Sequence, residues 1–175
     1  MTWVRDLPDA ATDWDAVAEV LPDAAAAVAE LHRTVWTLAD PVLLELARLR
    51  LATLLHFQPG LRLRSGAARA AGLGEDKIAV LSSWPTSPLF SARERACVAL
   101  AEQFLLDANG VTDRLVADVL DHLSPAECYG FVNAVSAFET LQRGSLTLGL
   151  DPSPEAGWLE PAEPATPPAS TGAPD

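Results

Sequence analysis

Between Asp40 and Gly72 the chain carries a stretch that leaves few folds open to it. Asp40-Pro41 opens a helix, with an Asx side chain to cap it and a proline at the first helical position, where the missing N–H costs nothing. Leu43, Leu44, Leu46, Ala47, Leu49, Leu51, Ala52, Leu54 and Leu55 then make it apolar almost all round, the pattern of a helix covered on every side. Pro59-Gly60 breaks it, and a second helix is expected from about Leu61 to Ala71, ended by Gly72 in a left-handed cap. The two arms read as a helical hairpin. Glu45 is a carboxylate inside the greasy arm and needs a partner. If the arms lie side by side, Arg64 faces it, and a static, partly buried Glu45–Arg64 ion pair is the expectation.

The rest of the chain agrees with an all-α fold. Ala and Leu dominate the 49% of residues that are apolar, with few β-branched positions in alternation. Its 175 residues suffice for one domain with a genuine core. The formal charge of -12, without a basic run, argues against nucleic acid or an anionic membrane as partner. No window reaches the roughly 18 to 20 apolar residues of a membrane span, and the N-terminus lacks a signal pattern, so a cytoplasmic protein is expected. Three scattered histidines and the lack of a glycine-rich phosphate loop point to no metal and no cofactor. Cys97 and Cys128 fall on separate predicted helices and read as small buried apolar residues.

In chain order, residues 1–22 form an arm with Trp3, Leu7 and Trp14, and residues 23–150 the helical domain. Asp23 opens a helix to about Leu38 with Val28, Leu31, Val35 and Leu38 as its stripe, which leaves His32 on the solvent side. Beyond the hairpin, Lys77 to Ser83 is a short helix, followed by a Trp84-to-Phe90 loop. Ser91 with Glu94 and Ser124 with Glu127 are capping boxes, and Thr112 caps the helix between them. The last helix runs from Ser124 to about Leu148 and stops at Gly149, giving six to seven helices in all. From Asp151 to Asp175 seven of the fourteen prolines accumulate, so 151–175 reads as a flexible tail with Trp158-Leu159 as the part able to dock.

The run Ala68-Arg69-Ala70-Ala71-Gly72, then Trp84, then Ser87-Pro88-Leu89-Phe90-Ser91-Ala92-Arg93-Glu94-Arg95-Ala96 resembles the peroxidase-related branch of the AhpD-like, or carboxymuconolactone decarboxylase, superfamily. The resemblance spans roughly Val20 to Pro152 and implies an AhpD-like helical bundle around the central hairpin. It also implies a homo-oligomer: a dimer, trimer or hexamer. Active members carry a glutamate, then C-x-x-C, then a histidine. Position by position these fall on Glu45, Phe57, Gly60 and Arg64. Phe and Gly can neither attack a peroxide nor resolve a sulfenic acid, and arginine holds its proton where a histidine would pass it on. The family's amide and arginine run on the last helix is replaced by Ser136-Ala137-Phe138-Glu139-Thr140.

The expected function is therefore non-redox: a small-molecule-binding protein, or a cofactor-independent decarboxylase, isomerase or cyclase acting on a small carboxylic acid. In that reading Arg64 and Arg62 meet the carboxylate, Glu45 orients it and His56 serves as base, competing with a role as helix cap. Phe57, Trp84 and Glu139 complete the expected pocket. Two alternatives stand beside it: an alkylhydroperoxidase-type antioxidant protein, and an inactive structural or interaction partner.

Overall fold

The computed structural model describes residues 13–150 and 159–162, with nine α-helices and one two-stranded ladder among them. Helix α1 (Asp13–Val20) packs on α2 (Pro22–Val35), and both precede the central helix α3 (Pro41–Leu54). Asp40 caps α3 as expected, its Oδ1 accepting from the Val42 N–H at 2.8 Å with Pro41 at the first position. Every residue from Leu43 to Leu49 is buried, along with Leu51 and Ala52.

Two apolar clusters flank α3, which explains why no face of it is polar. On one side Leu43, Leu44, Ala47 and Leu51 meet α7 (Ala92–Leu106), α8 (Asp113–Leu120) and α9 (Pro125–Leu148) through residues such as Leu100, Val119, Phe131 and Phe138. On the other, Leu46 and Leu49 meet Ala68, Leu73, Leu81, Phe90 and Val98. Both capping boxes form at the starts of α7 and α9, and Thr112 caps α8. Gly72 and Gly149 take the left-handed backbone that ends their helices, with φ of +96° and +69°. Gly130 is needed for a different reason: a Cβ there would collide with the Leu38 carbonyl oxygen, so only glycine lets α9 approach the α2–α3 turn.

The second arm of the hairpin departs from expectation. In place of one helix from Leu61 to Ala71 the chain makes a single turn, α4 (Gln58–Leu61), a strand, β1 (Leu63–Ser65), and α5 (Gly66–Ala70), before α6 (Glu75–Ala79). A continuous helix there would have to use the Gly60 and Leu63 carbonyls internally. Both are instead taken by the Arg48 guanidinium. Strand β2 (Leu159–Pro161) pairs antiparallel with β1, Ser65 opposite Leu159 and Leu63 opposite Pro161. Leu159 docks as expected, whereas Trp158, Trp3 and Leu7 lie outside the described residues. Among the described residues no helix is long and apolar enough to cross a membrane.

Candidate active-site cavity

Glu45 does not pair with Arg64. Its partner is Arg48, one helical turn away on α3: Nε donates to Oε2 at 2.7 Å and Nη2 to Oε1 at 2.8 Å. Both side chains are almost wholly buried. The remaining bonds suit so deep a pair, since an ion pair out of water is tolerable only when its other donors and acceptors are met. Arg48 donates to the carbonyls of Gly60 at 2.9 Å and Leu63 at 2.8 Å, and Glu45 Oε1 accepts from the Ser65 N–H at 3.1 Å. Four of the five guanidinium N–H groups are thereby used.

Arg48 forms part of the floor of a cavity of about 370 Å³. Its walls come from Trp14 and Ala18 of α1, Val28 and His32 of α2, Phe57 and Leu63 beyond α3, and Phe138, Gln142 and Ser145 of α9. The lining is mostly apolar. Gln142 donates from Nε2 to the Arg48 carbonyl oxygen at 3.0 Å; because that partner can only accept, the orientation of the amide is settled. Its other atom, Oε1, is buried without a hydrogen-bond partner among the described residues. Burial, helped by the Arg48 charge, pushes the His32 imidazole down from 6.5 to about 4, so it is neutral at neutral pH. The ring sits edge-on to Trp36, with centroids 6.4 Å apart.

No family model matches the sequence, and no curated protein matches it either. Solved structures do. One is a protein of unknown function from Agrobacterium tumefaciens named for the antioxidant defence protein AhpD, 23% identical over 76% of this chain and 92% of its own, with a TM-score of 0.68. The fold is AhpD-like. A second is the debrominase Bmp8, as a cysteine-to-alanine variant in complex with 2,3,4-tribromopyrrole, 12% identical over 83% of this chain and 79% of its own, also at 0.68.

Within this AhpD-like fold the residues expected at the site scatter. Phe57 lines the cavity, and Glu45 stands behind it, reaching it only through Arg48. Arg64 is turned away because it sits on β1 between Leu63 and Ser65, and a strand sends alternate side chains to opposite faces. It pairs with Glu75, Nε to Oε1 at 2.9 Å and Nη2 to Oε2 at 3.0 Å. Arg62 is exposed, its carbonyl accepting from the Ala162 N–H. His56 is exposed too, with φ +55° where the chain leaves α3, which fits its reading as the residue that ends the helix rather than a base. Trp84 donates Nε1 to Glu102 at 3.0 Å beside Arg50, and Glu139 pairs with Arg143 one turn on; neither lines the cavity.

Four functional candidates escaped the sequence reading, and three had a visible signal. Arg48 is three residues after Glu45, the spacing at which helical side chains meet. Gln142 and Ser145 continue the buried stripe of α9 beyond Phe131, Val135 and Phe138. For His32 the stripe was misplaced: Leu31 is 44% exposed, while Val28, His32 and Val35 face inward. The two cysteines lie outside the cavity, buried in the core between α3, α7 and α9. Burial pushes the Cys97 thiol up to about 12, which leaves it without thiolate at neutral pH.

Proposed function

We propose that this chain binds a small, uncharged, largely apolar molecule in the cavity above Arg48, and that it does so without cysteine redox chemistry. One observation carries the reading: the cavity is bounded by an arginine whose charge is already matched by Glu45 and whose donors are nearly all engaged. A site built for a carboxylate keeps a cation free to meet it. Here the cation on the wall, Arg48, is neutralised from behind by Glu45. His32, neutral at neutral pH, offers one N–H and one acceptor nitrogen. The acceptor Oε1 of Gln142 favours a ligand bearing an N–H or O–H, since an unmet buried acceptor is costly.

The volume lies at the lower end of the roughly 300 to 1,000 Å³ usual for ligand pockets. A brominated pyrrole, the ligand held by the Bmp8 variant, has the same character: compact, apolar, with one ring N–H. The small carboxylic acid expected from the sequence is not supported, because Arg64 does not face the cavity. Nor is acid–base catalysis by His32, whose low pKa makes it a weak base.

The test is a thermal-shift comparison at neutral pH of 4-bromophenol and 4-bromobenzoate, alongside peroxide turnover with a dithiol reductant. Stabilisation by the phenol, little by the benzoate and no peroxide turnover are expected. Stabilisation by the benzoate alone would restore the anion site. Sustained peroxide reduction lost on Cys97→Ala or Cys128→Ala would restore a thiol peroxidase.

A further inference from the structure

Leu159 stands in the wall of the same cavity, delivered there by the C-terminal strand rather than by the helical bundle. It is buried, at 7% exposure. Beyond the ladder of β2 to β1, the Ala162 N–H donates to the Arg62 carbonyl at 2.7 Å, and the Glu160 carboxylate lies 3.6 Å from Arg69.

Its partner strand is tied directly to the site: the Leu63 carbonyl accepts from Arg48, the Ser65 N–H donates to Glu45, and the Leu63 side chain lines the cavity. One three-residue strand thus carries the ion pair on one edge and the C-terminal segment on the other. The remaining walls belong to α1, α2, α3 and α9 and the residues that follow α3.

We propose that residues 159–162 are a working part of the ligand site. Docked β2 closes the cavity, Leu159 is its inner face, and ligand occupancy and strand docking stabilise one another. This rests on the reading that the cavity binds a ligand. Filling the cavity gives Leu159 an apolar neighbour, and a docked Leu159 removes the ligand from water on that side. Such coupling is reciprocal: whatever factor strand docking adds to ligand affinity, the ligand adds to strand docking.

The experiment uses the full chain with 4-bromophenol. Its bromine quenches indole fluorescence, and Trp14 lines the cavity, so stopped-flow dilution reads the dissociation rate. Leu159→Asp, which puts a charge on the inner face, and Leu159→Ala, which only trims it, are compared with the parent chain. Amide hydrogen exchange at Ala162, whose N–H donates to the Arg62 carbonyl across the docked strand, reads strand docking with and without the phenol.

Leu159→Asp is expected to release the phenol about tenfold faster, Leu159→Ala by a smaller factor, and the phenol to slow exchange of the Ala162 amide severalfold in the parent chain but not in Leu159→Asp. Equal dissociation rates in all three chains, or exchange of the Ala162 amide indifferent to the phenol, would overturn the proposal while leaving the binding reading intact. A parent chain that binds no phenol would sink both. Far-UV circular dichroism identifies a variant that fails to fold, in which case the other variant and the parent-chain exchange decide.

Discussion

Two ion pairs share the Leu63 carbonyl and could hardly differ more. Arg48 reaches that oxygen from the inside at 2.8 Å, already clasping Glu45; Arg64 reaches it from the outside, also at 2.8 Å, while clasping Glu75. Glu45 is 1% exposed and Glu75 48%. The inner pair depends entirely on protein groups for the hydration it has lost. The outer carboxylate still has water. By hydrogen-bond geometry alone the two look equivalent, and burial is what should set them apart.

The largest effect is expected from breaking the inner pair. Arg48→Met should cost about 3–5 kcal/mol in denaturant unfolding, because it strands a buried carboxylate. Adding Glu45→Leu to Arg48→Met should restore much of that loss, since removing both charges removes the unpaired one. A double variant no more stable than Arg48→Met alone would show that packing, not charge, is what Arg48 supplies.

Next comes the histidine beside the inner pair. Its pKa is lowered from 6.5 to about 4 in the folded chain, so between those values the unfolded chain binds the extra proton. Stability is therefore complete above pH 6.5, falls as pH drops through the window, and loses no more from this group below about pH 4. The loss should approach about 3 kcal/mol at most. Denaturation curves for parent and His32→Phe should diverge between neutral pH and about pH 4.5, before the carboxylates held low by their partners, Glu94 and Glu102, begin to protonate. Parallel curves would place His32 in water.

Smaller effects belong to the strand between the pairs and to the outer pair. Leu159→Ala should cost about 1–2 kcal/mol, from the apolar area it ceases to bury. Glu75→Gln should cost about 0–1 kcal/mol, the range for an ion pair with one exposed partner. An outer-pair loss equal to that of Arg48→Met would erase the distinction drawn between them.

What could be read from the chain beforehand follows the same division. The apolar helix, its Asp40 cap, both capping boxes and the left-handed glycines were legible because each is written in neighbouring residues. The AhpD-like arrangement was legible through the family resemblance of residues 68–72, Trp84 and residues 87–96. The pairing of Glu45 was not, because a hairpin invites a partner from the opposite arm, and nothing local shows that Arg64 will sit on a strand and point away. That strand exists only through contacts from afar: Arg48 removes two carbonyls from helical use, and residues 159–161, about a hundred positions later, supply the second half of the ladder. Glu45 was the right place to look. Its partner stood one turn further along the same helix.

The cavity should accept an uncharged ring above a charge pair already satisfied. Crystals soaked in 4-bromophenol and measured at the bromine absorption edge test this directly. The anomalous signal is predicted among Trp14, His32, Phe138 and Gln142, with the Glu45–Arg48 bonds unchanged. Bromine found only elsewhere on the molecule, or Arg48 swung away from Glu45 to meet the ligand, would contradict it.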